Sequence, residues 1–219
     1  MRVRKAEISS CPRFIGGRGT QRRRGLFAAL ATLLVLAVSA SASWREDAAP
    51  ADIQRLDQLA ASKAKGLMEA ERGTPSDLAA ITSILQAGPV AAGRITGAWK
   101  CRTMKLGGLT PTVVYAWFNC RISERGGRLY FEKLGGSQRT GGYLYPDAGG
   151  YVYLGASYVH YNGANETPPA YSGTGASAGA SETPDDQIGL LSQLYDGRLR
   201  LELPYPVQES TFDVIELKR

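Results

Sequence analysis

The chain has 219 residues, with 26 Lys+Arg against 20 Asp+Glu, one histidine and three cysteines. Positions 1–42 hold eight of the basic residues and one acidic residue, so the other 177 residues carry 18 basic and 19 acidic side chains. The basic balance thus belongs to the leading segment and gives no reason to expect nucleic acid or an anionic surface as partner. The sparse His and Cys leave no spacing suited to a metal site or a C-x-x-C redox pair.

That leading segment has the parts of an export signal: a basic stretch, the uncharged run LFAALATLLVLAV from Leu26 to Val38, and Ala40-Ser41-Ala42. Cleavage is expected after Ala42, placing the protein in the periplasm or outside the cell. The alternative is retention as an anchor, since Gly25 to Ala42 is 18 uncharged residues, the low edge of a membrane span. A membrane link therefore exists only through an uncleaved signal. Arg22-Arg23-Arg24 also resembles a twin-arginine export pattern.

The 177 residues beyond the signal fit one domain with a substantial core. ADIQRLDQLAASKAKGLMEAERG predicts a helix whose apolar stripe is Ile53, Leu56, Ala60, Ala64, Leu67 and Met68. Thr74-Pro75-Ser76-Asp77 then supplies a cap, a first-turn proline and an acid for a second helix ending near Gln86. The helical region is expected over 43–92.

From Ile95 the period changes to two. Eight strand-like runs follow, of which Arg198–Leu203 (RLRLEL) alternates strictly, and turn signals separate most of them. The expected class is mainly β (α+β), with an N-terminal helical pair and then an antiparallel meander over 93–219. Barrel (lipocalin-like) and sandwich both remain open. Gly97-Ala98-Trp99 resembles the Gly-x-Trp that opens lipocalin-type barrels, but the last strand, TFDVIEL, offers no match for the basic residue those barrels supply late in the chain. Residues 160–186 are rich in Gly, Ala, Ser, Thr and Pro, with almost nothing to bury, and predict a flexible loop. A glycosylation sequon sits at 165–167.

Cys101 and Cys120 lie symmetrically about the turn-rich GGLTPT connection, on apolar faces of adjacent strands, and predict one structural disulfide. The stretch GGSQRTGG (135–142) lacks the lysine and the following helix of a phosphate loop, so a glycine-bounded hairpin is expected. There Ser137, Gln138 and Arg139 supply polar groups. Arg139 is expected to pair with Glu209 or Asp147, with a grip on a ligand carboxylate or phosphate as the alternative. Tyr143 and Tyr145 share a strand face, as do Tyr151 and Tyr153; packing and sugar stacking are both open to them. No catalytic residues, metal or cofactor are assigned. His160 is the lone histidine and no G-x-S-x-G supports a triad; paired carboxylates remain open because sequence does not give their separation.

KLGGSQRTGGYLYPD, with GAWKCRTMKLGG and FNCRI before it and LPYPVQESTFDVIEL after it, resembles a "domain of unknown function" family of small exported proteobacterial proteins. The resemblance spans roughly residues 44–219 and implies the paired cysteines but no activity. Its departure at 160–186 argues against catalytic residues there, His160 included. The leading expectation is a non-catalytic binding or envelope-associated module taking a small ligand or envelope component. The alternatives are an envelope glycan hydrolase with paired carboxylates and a structural partner of another envelope protein. Oligomeric state is left open.

Overall fold

A computed structural model describes residues 43–159, 170–173 and 186–219; the expected signal over 1–42, His160 and the sequon lie outside them. Four helices come first: α1 (Trp44–Asp47), α2 (Pro50–Asp57), α3 (Leu59–Ala70) and α4 (Pro75–Gln86). A short β1 (Pro89–Val90) leads to β2 (Gly97–Leu106), β3 (Thr112–Val114), β4 (Phe118–Arg125), β5 (Arg128–Lys133) and β6 (Gln138–Asp147). The chain closes with β7 (Gly150–Val159), β8 (Asp186–Leu194), β9 (Leu199–Pro204) and β10 (Phe212–Lys218).

Eight of these strands form an up-and-down antiparallel barrel in the order β2-β4-β5-β6-β7-β8-β9-β10, and β10 returns to β2. The β8–β9 pairing completes the ring and decides for the barrel over the sandwich. Closure leaves these eight strands without a free edge. Among the described residues, no helix is long and apolar enough to cross a membrane.

Alternation along each strand sends one set of side chains inward. Trp99, Cys101, Phe131, Leu144, Tyr153, Leu201 and Leu217 belong to the packed interior. Cys101 and Cys120 are bridged, with Cα atoms 5.9 Å apart. Trp99 stands opposite Cys120 and Cys101 opposite Phe118, so the bridge joins diagonal neighbours of β2 and β4.

One end of the barrel is shut by Trp99. Its indole donates to Ile95 O at 2.9 Å, and the Arg219 guanidinium lies 4.6 Å from the ring centre. Arg219 also donates to the carbonyls of Arg94 and Thr96 at 3.4 and 3.3 Å. A basic residue just past the end of β10 thus covers the tryptophan at this end.

The helices cover the outside. The expected apolar stripe of α3 is not its buried face: Leu67 and Met68 are exposed, whereas Ser62, Gly66 and Ala70 are buried. The reason is close approach. A Cβ on Gly66 would sit 2.7 Å from Phe212 Cβ, so small residues alone fit against the sheet. Ser62 fixes the contact by donating to Thr211 O at 2.8 Å and accepting from Tyr205 N at 3.0 Å. The predicted first helix is also broken at Gln58, which lets α2 lie on β8 while α3 crosses β9, β10 and β2. The second helix begins as expected, with Thr74 Oγ1 accepting from Asp77 N at 3.2 Å.

RLRLEL shows what alternation alone conceals. Its leucines face the barrel interior, yet Arg200 and Glu202 are buried too, at 6% and 2% exposure. Arg200 donates to the carbonyls of Ile84, Leu85 and Ala87 at 3.0, 3.2 and 3.0 Å and so closes the end of α4. Glu202 pairs with Arg200 and Lys63.

Within the predicted flexible stretch, residues 170–173 are specifically held. Tyr171 donates to Asp52 and accepts from Ala49 N at 2.9 Å, and Ser172 N donates to Asp186 at 3.0 Å. The expectation that this stretch buries almost nothing fails at Tyr171, whose ring packs with Trp44, Val152 and Ile188.

Candidate functional site

The inward positions change character toward the end opposite Trp99. Along β2 they run Trp99, Cys101, Thr103, Lys105; along β5, Leu129, Phe131, Lys133; along β10, Leu217, Ile215, Asp213. The same alternation that packs apolar groups at one end thus carries two lysines and an aspartate into the mouth. Gln138, Thr140, Ser157 and Gln187 add polar groups around it. The mouth encloses a cavity of ≈ 110 Å³. A second hollow of ≈ 150 Å³, lined by Tyr115, Phe118 and Ser137, adjoins it through Thr103, Lys133 and Gln138.

A buried hydroxyl relay forms the floor. Tyr153 O–H lies 2.6 Å from Thr140 Oγ1, which is 3.1 Å from Ala156 O and 2.5 Å from Gln187 Oε1. Burial pushes the Tyr153 phenol far above its usual range. Glycines make this packing fit. Gly142 faces Gly155 across β6 and β7, and a Cβ on Gly155 would stand 2.2 Å from Tyr153 Oη.

GGSQRTGG spans the turn between β5 and β6 and runs on into the first half of β6, with Gly136 at φ +80° where the chain turns. Lys133 reaches back under this turn. Its Nζ donates to Gly135 O at 3.0 Å and to Gln138 O, and lies 4.5 Å from the Phe118 ring centre. Among the described residues it has no carboxylate partner. Burial, then the charges of Arg139 and Lys105, lower its pKa to about 8.

Asp213 sits fully desolvated, with Ser210 Oγ donating to it at 2.6 Å. Desolvation raises its pKa to about 7, against the lowering effect of Ser210 and Lys105. Lys105 is half-buried, which alone would lower its pKa, but its bond to Glu209 and the charge of Asp213 raise it. Glu209 is held below the usual carboxylate range by that lysine.

The Glu209 backbone is itself constrained, with φ +69° in a non-glycine residue. Its carbonyl accepts from Leu109 N at 2.9 Å, and a Cβ on Gly108 would lie 2.3 Å from the same oxygen. The turn after β2 and the loop before β10 therefore hold Glu209 in place over Lys105.

Of the residues singled out from sequence, Ser137, Gln138, Arg139 and Glu209 meet at the mouth. The expected Arg139 ion pair does not form. Glu209 is taken by Lys105, with Gln138 Nε2 at 3.5 Å, and Arg139 donates instead to Gly136 O at 3.2 Å. Asp147 lies eight residues along β6, at its other end, far beyond a side chain's reach. Tyr143 and Tyr145 face outward: Tyr143 packs edge-on against Tyr130 at 5.0 Å, and Tyr145 donates to Asp47 at 2.7 Å. Tyr145 is pushed up to about 12 by burial and by Asp47.

The family model described as Domain of unknown function (DUF4893) matches residues 44–217. The chain belongs to that family. Comparisons with curated proteins and with solved structures give no match. The DUF4893 match spans all four helices and every barrel strand almost to the end of β10. Among the described residues of this DUF4893 domain, no three His, Cys, Asp or Glu side chains gather as a metal-holding group. Sequence reading missed Lys105, Lys133 and Asp213, although each is in phase with the inward face of its strand.

Proposed function

We propose that this DUF4893 protein is an exported binding module that takes a small carboxylate- or phosphate-bearing ligand into the mouth of its barrel. One observation carries the reading: Lys133 and Arg139 come together at a polar cavity with no carboxylate paired to either among the described residues. A buried cation without a counter-ion is costly, and an anionic guest removes that cost. The Arg139 terminal nitrogens, free of described partners, suit a two-pronged grip on a carboxylate or phosphate.

The disulfide and the signal-like first 42 residues support export. A glycan hydrolase would need two carboxylates free for acid and base work. Of the carboxylates lining this mouth, Glu209 is paired with Lys105, and Asp186 accepts from Ser172 N at 3.0 Å and from Ser172 Oγ. Among the described residues that leaves Asp213 alone for acid work, which favours binding over hydrolysis.

Thermal melting with pyruvate, citrate, inorganic phosphate and neutral glucose tests the reading. At least one anion should raise the melting temperature in a concentration-dependent way, with the rise reduced in Lys133→Gln and Arg139→Ala. Stabilisation by glucose alone, or anion effects unchanged in both variants, would overturn it.

A further inference from the structure

Lys133 is placed where little holds its proton: among the described residues its Nζ has no carboxylate partner and donates to backbone carbonyls. A neutral amine has two N–H donors and one lone pair, and two backbone carbonyls, Gly135 O at 3.0 Å and Gln138 O, accept from Nζ. An ammonium would point its third N–H at the Phe118 ring, a cation–π contact that holds the charge less firmly than a carboxylate would. The flanking charges are cations, Arg139 and Lys105, the latter committed to Glu209. Desolvation beside other positive charges is how proteins make a lysine nucleophilic at neutral pH.

From this arrangement we infer that Lys133 captures small carbonyl compounds that carry a carboxylate, forming an imine through Nζ. The inference rests on the binding reading above and names its ligand class. Arg139 at the rim would take the carboxylate, and the hollow walled by Tyr115 and Phe118 would take the organic part.

The chemistry balances with groups already present. The Nζ lone pair attacks the carbonyl carbon, and one amine proton passes to the oxygen to give a carbinolamine. The C–O bond then breaks, and the oxygen leaves as water with a proton from Asp213. The products are a protonated imine on Lys133 and an Asp213 carboxylate in the same mouth. Asp213 suits this exchange because its buried carboxyl keeps its proton up to about pH 7. With a pKa near 8, the amine is neutral in roughly one molecule in ten at pH 7, about two- to three-hundredfold more often than an ordinary lysine.

The test is reductive trapping. The protein is incubated with pyruvate, reduced with borohydride and digested, and the lysine carrying the carboxyethyl group is located by mass spectrometry. Labelling of Lys133 should exceed that of exposed Lys65 by about tenfold or more. It should rise with pH through the region near 8, set by Arg139, Lys105, Asp213 and Glu209 around the amine, and be slowed in Asp213→Asn. Lys133→Arg cannot form the imine and should lose the label. A lysine that only braces the hairpin would show no such preference. Even labelling of surface lysines, with pyruvate still raising the melting temperature, overturns the imine and leaves the binding reading standing. No melting response to pyruvate and no selective label overturns the inference, and if citrate and phosphate also fail, the binding reading falls with it.

Discussion

The two ends of this barrel are made from the same eight strands and the same alternation, yet they do opposite work. At the shut end the inward groups are Trp99, Leu129, Leu199 and Leu217, packed together and capped by Arg219. At the mouth they are Lys105, Lys133 and Asp213. The first set gains free energy by leaving water; a buried Trp alone removes roughly 150–250 Å² from solvent. The second set loses it, since lysine and aspartate are desolvated with incomplete compensation. Stability is concentrated at one end and spent at the other, as expected when a site is held ready for a ligand.

That contrast can be broken most forcefully at the shut end. Trp99→Ala removes an indole with 5% exposure and should cost about 3–5 kcal/mol by urea unfolding. A loss below about 1 kcal/mol would mean that this end is not the stabilising one. The bridge of β2 to β4 comes next. Cys101→Ser with Cys120→Ser should cost about 2–4 kcal/mol, as should reduction of the unaltered protein under the same denaturant series.

The mouth should respond in the opposite direction and with pH. Lys133 binds its proton less tightly folded, at about 8, than unfolded, at 10.5. Its charge therefore burdens the native state below pH 8, and stability is regained as pH climbs from there to 10.5. Lys133→Gln should stabilise by about 2 kcal/mol at pH 7, after discounting for partial solvent access, with the gain gone near pH 11. Asp213 runs the other way: its carboxyl keeps its proton to about 7 when folded, against 3.8 unfolded. Stability present below pH 4 is lost as pH rises through 7. Asp213→Asn should be neutral near pH 4 and stabilising by about 1–3 kcal/mol at pH 8. Melting curves of both variants across pH 4–11 check the pair, and flat differences would refute the desolvation account.

The antiparallel meander was legible from its strand-like runs and turn signals, and the disulfide because Cys101 and Cys120 flank one turn. Closure into a barrel was not, because it rests on the β8–β9 pairing, which no single strand's pattern encodes. The α3 face was not. Periodicity pointed to Leu67 and Met68, but the space above Phe212 admits only Ser62, Gly66 and Ala70, and hydrophobicity carries no information about interhelix distance. The strict alternation of RLRLEL gave no sign that Arg200 and Glu202 are buried, because the helices that cover them come from far earlier in the chain. At the mouth, the signal for Lys105, Lys133 and Asp213 was present as phase. Alternation puts Trp99, Cys101 and Thr103 on one face of β2, and Lys105 is its next member. Conspicuous glycines and a motif-like Ser-Gln-Arg drew attention to the turn instead of to the charged residues in register with the core.

Arg139 sets the smallest and most discriminating expectation. Were it locked to Glu209, Arg139→Ala would strand a charge and cost several kcal/mol. Among the described residues the side chain instead makes one hydrogen bond, to Gly136 O at 3.2 Å, within a turn that Gly136 already shapes. A single bond of this kind contributes about 1 kcal/mol or less, so Arg139→Ala should barely move the melting temperature. Removing it also relieves Lys133 of a neighbouring positive charge, which offsets part of even that loss. Glu209→Gln, by contrast, deprives Lys105 of its partner. The effects of Arg139→Ala and Glu209→Gln should add, since the two residues share no contact, whereas Glu209→Gln and Lys105→Gln should not. If Arg139→Ala leaves melting untouched while weakening the response to anions, the mouth's positive rim exists for its guest. A large loss of stability coupled to Glu209 would restore the ion pair and remove Arg139 from the site.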